Sequence, residues 1–123
     1  MTKLSDAEWK IMDILWRDAP KTLMELTREL EEETGWAKTT VITFLKRMEE
    51  KGAVSYEERG RTKYFSPAID RADAELEETR SFLEKVFRGN VGLMISNMVK
   101  QEAISDEELE ELYRILREGK KDV

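Results

Sequence analysis

Three helix starts are written into the chain as capping boxes: Ser5-Asp6-Ala7-Glu8, Thr22-Leu23-Met24-Glu25 and Ser105-Asp106-Glu107-Glu108. In such a box the hydroxyl and the carboxylate each satisfy a backbone N–H that the first helical turn leaves without a partner. Apolar residues at helical spacing follow each box. Leu4, Ala7, Ile11, Met12, Leu15 and Trp16 mark the buried side of the first helix, which should stop near Asp18 because Pro20 disfavours helix in the residue before it. The second helix turns Leu23, Leu26 and Leu30 inward and Glu29, Glu31, Glu32 and Glu33 outward, and Thr34-Gly35-Trp36 breaks it.

A third helix is expected from about Ala37 to Lys51, with Val41, Phe44, Leu45 and Met48 as its buried stripe and Gly52 where a left-handed residue is wanted. Three short helices, the last two joined by a tight Gly-containing turn, form a helix-turn-helix arrangement. The β-prone runs Ala53–Glu58 and Arg61–Ser66 flank Arg59-Gly60 and read as a hairpin, which Ser66-Pro67 ends. Helical patterns then resume over Asp70–Arg88, Val91–Gln101 and the segment after Ser105. The expected fold class is mainly α with a small β-hairpin wing. A winged helix-turn-helix domain would occupy residues 1–69 and a helical domain residues 70–123.

Composition removes several functions. With neither Cys nor His, the chain lacks the ligands on which zinc, copper and haem sites depend, and it has no disulfide, thiol nucleophile or imidazole base. Its carboxylates lie on solvated helix faces, with no Gly-rich phosphate loop and no metal-ligand spacing. The expectation is no enzyme, no cofactor and no metal. No apolar run approaches the ~20 residues of a membrane span, and the first residues carry no apolar signal segment. A soluble cytoplasmic protein is expected.

The net charge of −6 argues against a polyanion partner until it is resolved along the chain. Between Trp36 and Tyr64 seven basic residues (Lys38, Lys46, Arg47, Lys51, Arg59, Arg61, Lys63) face four acidic ones, all outside Trp36–Lys46. The third helix thus opens on an acid-free turn whose N–H groups and dipole suit a phosphate. The tip Arg59-Gly60-Arg61-Thr62-Lys63 is a second cationic point. A basic helix start and a basic wing, in that order, suit duplex DNA. The candidate DNA-binding residues are Lys38, Thr39, Thr40, Thr43, Lys46, Arg47, Arg61 and Lys63, the threonines facing base edges or phosphates, Lys38, Lys46 and Arg47 the backbone, and Arg61 and Lys63 neighbouring phosphates or the minor groove. Ile42 either touches a thymine methyl or packs against the wing. The rival is a winged-helix protein-interaction module whose run Glu29-Glu31-Glu32-Glu33 faces a basic partner.

Three short helices rich in apolar residues cannot easily bury them alone. Phe82, Val86, Phe87, Leu93, Met94, Met98, Leu109, Leu112 and Leu116 either dock on the first domain or meet a second copy. A homodimer is the favoured expectation, because it also supplies the two half-sites that helix-turn-helix proteins use.

The order of these segments resembles a known family. Ser5–Trp16 is similar to the opening helix of the BlaI/MecI/CopY penicillinase-repressor family, and Gly35–Val41 with Leu45–Gly52 to its recognition helix and exit turn. Gly60–Pro67 resembles its wing, and Gly92–Val99 with Ser105–Leu112 its dimerisation helices. The resemblance covers essentially the whole chain. It implies a dimeric repressor on a palindromic double-stranded DNA operator. In the β-lactam branch it further implies relief through a membrane sensor-protease pathway that cuts within the dimerisation helices, here near Asn97-Met98. The copper branch carries C-terminal cysteines, which this chain lacks, so that sensing device is excluded. The β-lactam branch usually places a basic residue where this chain has Ile42.

Overall fold

The computed structural model describes residues 3–119. Its elements, in chain order, are α1 (Asp6–Arg17), α2 (Leu23–Thr34), α3 (Lys38–Glu50), β1 (Val54–Arg59), β2 (Thr62–Pro67), α4 (Arg71–Phe87), α5 (Val91–Lys100) and α6 (Asp106–Gly119). This is the mainly helical, winged architecture expected from the sequence. All three capping boxes are closed. The Ser5, Thr22 and Ser105 hydroxyls accept from the amides of Glu8, Glu25 and Glu108, whose carboxylates accept from the cap amides at 2.7, 2.9 and 3.0 Å.

The chain divides into two compact units, Met1–Glu78 and Thr79–Val123. In the first, Ile11, Met12 and Leu15 of α1, Leu26 and Leu30 of α2, and Val41, Leu45 and Met48 of α3 form one buried cluster with Val54 and Phe65 of the hairpin. Each large side chain in it contributes about 1.5–3 kcal/mol of apolar burial. The turn between α2 and α3 depends on Gly35, at φ 65, a left-handed conformation that costs other residues about 1–2 kcal/mol. Beyond it the Trp36 and Phe44 rings lie 5.0 Å apart and brace the start of α3.

The strands pair antiparallel from Val54↔Pro67 to Arg59↔Thr62, closed by a two-residue turn with Gly60 at φ 66. A third backbone segment joins them. Lys21, between α1 and α2, exchanges both hydrogen bonds with Phe65 at 3.0 and 2.8 Å. No sequence pattern announced this one-residue bridge.

The first unit extends past the Pro67–Asp70 boundary read from the sequence. Trp16 donates its indole N–H to the Ile69 carbonyl at 3.0 Å, Arg71 pairs with Asp13 at 3.2 Å, and Ala74 is only 3% exposed. The opening turns of α4 thus complete the winged unit, and the division falls inside that helix.

Glu8, besides capping α1, is the one buried charged side chain among the described residues, at 1% exposure. Lys51, at the end of α3, donates to its carboxylate and to the Lys3 carbonyl. Burial pushes the Glu8 carboxyl up, but the Lys51 ammonium and the Ser5 amide outweigh it and hold the group below the ordinary carboxylate range.

Candidate nucleic-acid interface

α3 opens differently from α1, α2 and α6. Ala37 stands at its N-cap with no side-chain acceptor, and its first turn holds no acidic residue. The first amides therefore point outward with no carboxylate to neutralise them, which leaves the positive end of the helix dipole available to an anion. With Val41, Leu45 and Met48 buried, the opposite side of α3 must face solvent. Lys38, Thr39, Thr43, Lys46 and Arg47 are exposed there, and Thr40 is half-buried.

Arg61 and Lys63 are both exposed at the wing. Lys63 lies 4.2 Å over the Tyr56 ring and Arg59 4.9 Å over the Tyr64 ring, so the strands hold their cations through cation–π contacts. All eight sequence-predicted DNA-binding residues belong to the winged unit.

The seven cations of this stretch are not equivalent. Lys51 is spent on Glu8, and Arg59 bonds Glu57 at 3.3 Å. Among the described residues, Lys38, Lys46, Arg47 and Arg61 make no ion pair, and Lys63 makes only its ring contact. The acidic residues Glu49 and Glu50 sit at the far end of α3, away from its opening turn.

Two side chains take on a sharper character. Thr43 donates its hydroxyl to the Thr39 carbonyl at 2.9 Å, so its proton is committed within the helix. Ile42 is 36% exposed and is not among the residues packed on the core.

The acidic run of α2 is partly spent inside the unit. Glu29 pairs with Arg17 at 3.5 Å and Lys21 at 3.1 Å, and Glu33 with Lys10. Lys21 and Lys10 hold their protons more tightly for it, chiefly through the hydrogen bonds to those carboxylates. Glu31 and Glu32 are exposed and make no ion pair among the described residues.

In the second unit, no side chain of α5 or α6 is buried. Phe82, Val86, Leu93, Met98 and Leu116 are largely exposed, while Phe87, Met94, Leu109 and Leu112 are half-buried. The Phe82 and Phe87 rings lie 6.0 Å apart, edge to face. Asn97 and Met98 are exposed within α5, where the Asn97 carbonyl accepts from the Gln101 amide at 3.1 Å. Among the described residues no cluster of acidic side chains could hold a metal ion, and no helix is long and apolar enough to cross a membrane.

Comparison with known proteins gives a consistent set of likenesses. A family model described as "Penicillinase repressor" matches residues 4–118. A penicillinase repressor of Bacillus licheniformis is 33% identical over 118 residues, spanning 96% of this chain and 92% of that protein. The solved DNA-binding domain of the repressor BlaI is 33% identical with a TM-score of 0.53, covering 59% of this chain and 93% of that one. The monomeric form of Bacillus licheniformis BlaI, solved in complex with the blaP half-operator, is 32% identical with a TM-score of 0.52, covering 58% and 88%.

Proposed function

Because the chain belongs to the penicillinase repressor family, we propose that it is a DNA-binding transcriptional repressor that holds its operator as a homodimer, one α3 in each of two major grooves. The observation that carries this reading is the acid-free opening of α3 beside cations that make no ion pair among the described residues. Lys38, Lys46 and Arg47 bind phosphates, and Thr39 and Thr40 reach base edges or the backbone. Arg61 and Lys63 hold the neighbouring phosphates from the wing. A BlaI domain of the same fold has been solved on a half-operator, which supports the same docking here. The family's work is repression, not catalysis, and access to operator DNA puts the protein in the cytoplasm. The protein-interaction alternative loses support because Glu29 and Glu33 are already paired.

Dimerisation draws its support from the second unit. Phe82, Val86, Leu93, Met98 and Leu116 leave far more apolar surface to water than scattered surface residues do. A second copy covers it and supplies the second half-site.

Selection of bound duplexes from a random pool, at stated salt, tests the reading. The expected winner is a palindrome with half-site centres about one helical turn, or a multiple of it, apart. Leu93→Glu should disperse the dimer and weaken binding to that palindrome at least about tenfold while leaving half-site binding intact. A winner without two-fold symmetry rules out the dimeric arrangement.

Relief by proteolysis belongs to the same proposal. A cut between Asn97 and Met98 removes Met98, Val99 and α6 from the dimer contact. Since that peptide lies within a hydrogen-bonded helix, α5 must open locally before a protease can act. Incubation with the metalloprotease domain of a cognate membrane sensor should yield two fragments parting after residue 97, with release of DNA. An intact chain removes this route of relief.

A further inference from the structure

We infer that Ile42 selects the operator by apolar contact with the 5-methyl group of a thymine. This rests on the DNA-binding reading above and goes beyond it by naming the base and the atom recognised. Thr39, Ile42, Thr43 and Lys46 stand at positions i, i+3, i+4 and i+7 of α3 and share one outward face. Within that face Thr43 has already given its hydroxyl proton to the Thr39 carbonyl. It keeps its methyl group and hydroxyl lone pairs to present. Next to the exposed Ile42 side chain, this makes the middle of the face poor in hydrogen-bond donors.

Single exposed apolar residues are ordinary on a protein surface. Ile42 differs in its setting: Lys38 and Lys46 lie four residues to either side of it, both exposed and without an ion pair among the described residues. When these cations reach phosphates, Ile42 is carried against the floor of the groove and loses its water. The major groove offers one apolar feature, the thymine methyl; the remaining base edges are donors and acceptors. Opposite guanine, cytosine or adenine, Ile42 would strip water from a polar edge and return nothing. The contact therefore selects for thymine and against the other bases.

The test uses the full chain and the palindrome recovered by selection, remade with deoxyuridine at one thymine at a time. Deoxyuridine removes the methyl and leaves base pairing intact. At one thymine of each half-site the substitution should weaken the native chain about fourfold, the worth of one buried methyl-sized group. The same duplexes should leave the Ile42→Ala chain unaffected. Because Ile42 is outside the core, the Ile42→Ala melting curve should overlay the native one. A deoxyuridine penalty that persists in full in Ile42→Ala overturns the assignment, and so does indifference of the native chain at every thymine. Both results leave DNA binding standing. A native chain that retains no duplex even at low salt overturns the assignment and the reading beneath it together.

Discussion

Between about 50 and 200 mM salt, the affinity of the proposed dimer for its operator should fall about a thousandfold. The magnitude follows from which cations are free. Lys38, Lys46, Arg47 and Arg61 carry no carboxylate partner among the described residues, and Lys63 leans only on Tyr56. If about three of the five reach phosphates in each protomer, six condensed counterions leave per dimer, and log affinity falls with log salt at a slope of roughly −5. Arg61→Ala should flatten that slope by about 2 and weaken all duplex sequences alike, since a phosphate contact carries no sequence information. Thr40→Ala should instead change which sequences are preferred. Titrations by fluorescence anisotropy at several salt concentrations measure both effects. A slope near zero would falsify the docking of α3 and wing on the duplex.

Replacing Lys51 with methionine should lower the unfolding free energy by about 3 kcal/mol, because it strands the buried Glu8 carboxylate. Adding Glu8→Gln to the same chain removes the stranded charge and should recover much of the loss. Urea unfolding at neutral pH reads both numbers. The dependence on pH separates this account from simple loss of packing. In the native protein the Glu8 carboxyl titrates below its unfolded value. Its contribution is therefore fully present above the ordinary carboxylate range and is lost as pH falls through the depressed value. Without Lys51 the group keeps its burial and its Ser5 hydrogen bonds but loses the ammonium that lowers it, so it titrates higher than in the native protein. Lys51→Met should then gain less stability than the native protein as pH rises from about 4 to 7. Parallel pH profiles for the two chains would count against the buried pair.

Much of this architecture is legible in the sequence because its signals are local. A capping box, a Gly at a helix end and a Gly within a hairpin turn each act within four residues, and Ser5, Thr22, Ser105, Gly35 and Gly60 all do what their neighbours suggest. What is hidden depends on partners far apart in the chain. Glu8 reads as a cap, and only the fold brings Lys51 to it from 43 positions away. Lys21 carries no strand signal, since a single bridge to Phe65 needs no periodicity. The end of the winged unit is displaced for the same reason: Ala74 reads like any helix residue, and only the fold buries it with the core of the first unit. At the interface, the sequence supplies the sign of the charges but not their availability. Lys51 and Arg59 look like Lys46 and Arg61 until their carboxylate partners are seen.

The two-way backbone pairing of Lys21 with Phe65 also bears on the thermodynamics of recognition. It ties β2 to the segment that joins α1 and α2, so Arg61 and Lys63 ride on a two-stranded hairpin anchored by a bridge at Phe65 and not on a free hairpin, which is marginal in water by itself. The ordering entropy of the wing is spent when the protein folds and is not charged again at the groove. Wing contacts then add to affinity nearly undiminished, and the heat-capacity change on binding reports surface removed from water, with no share from a segment that folds on contact.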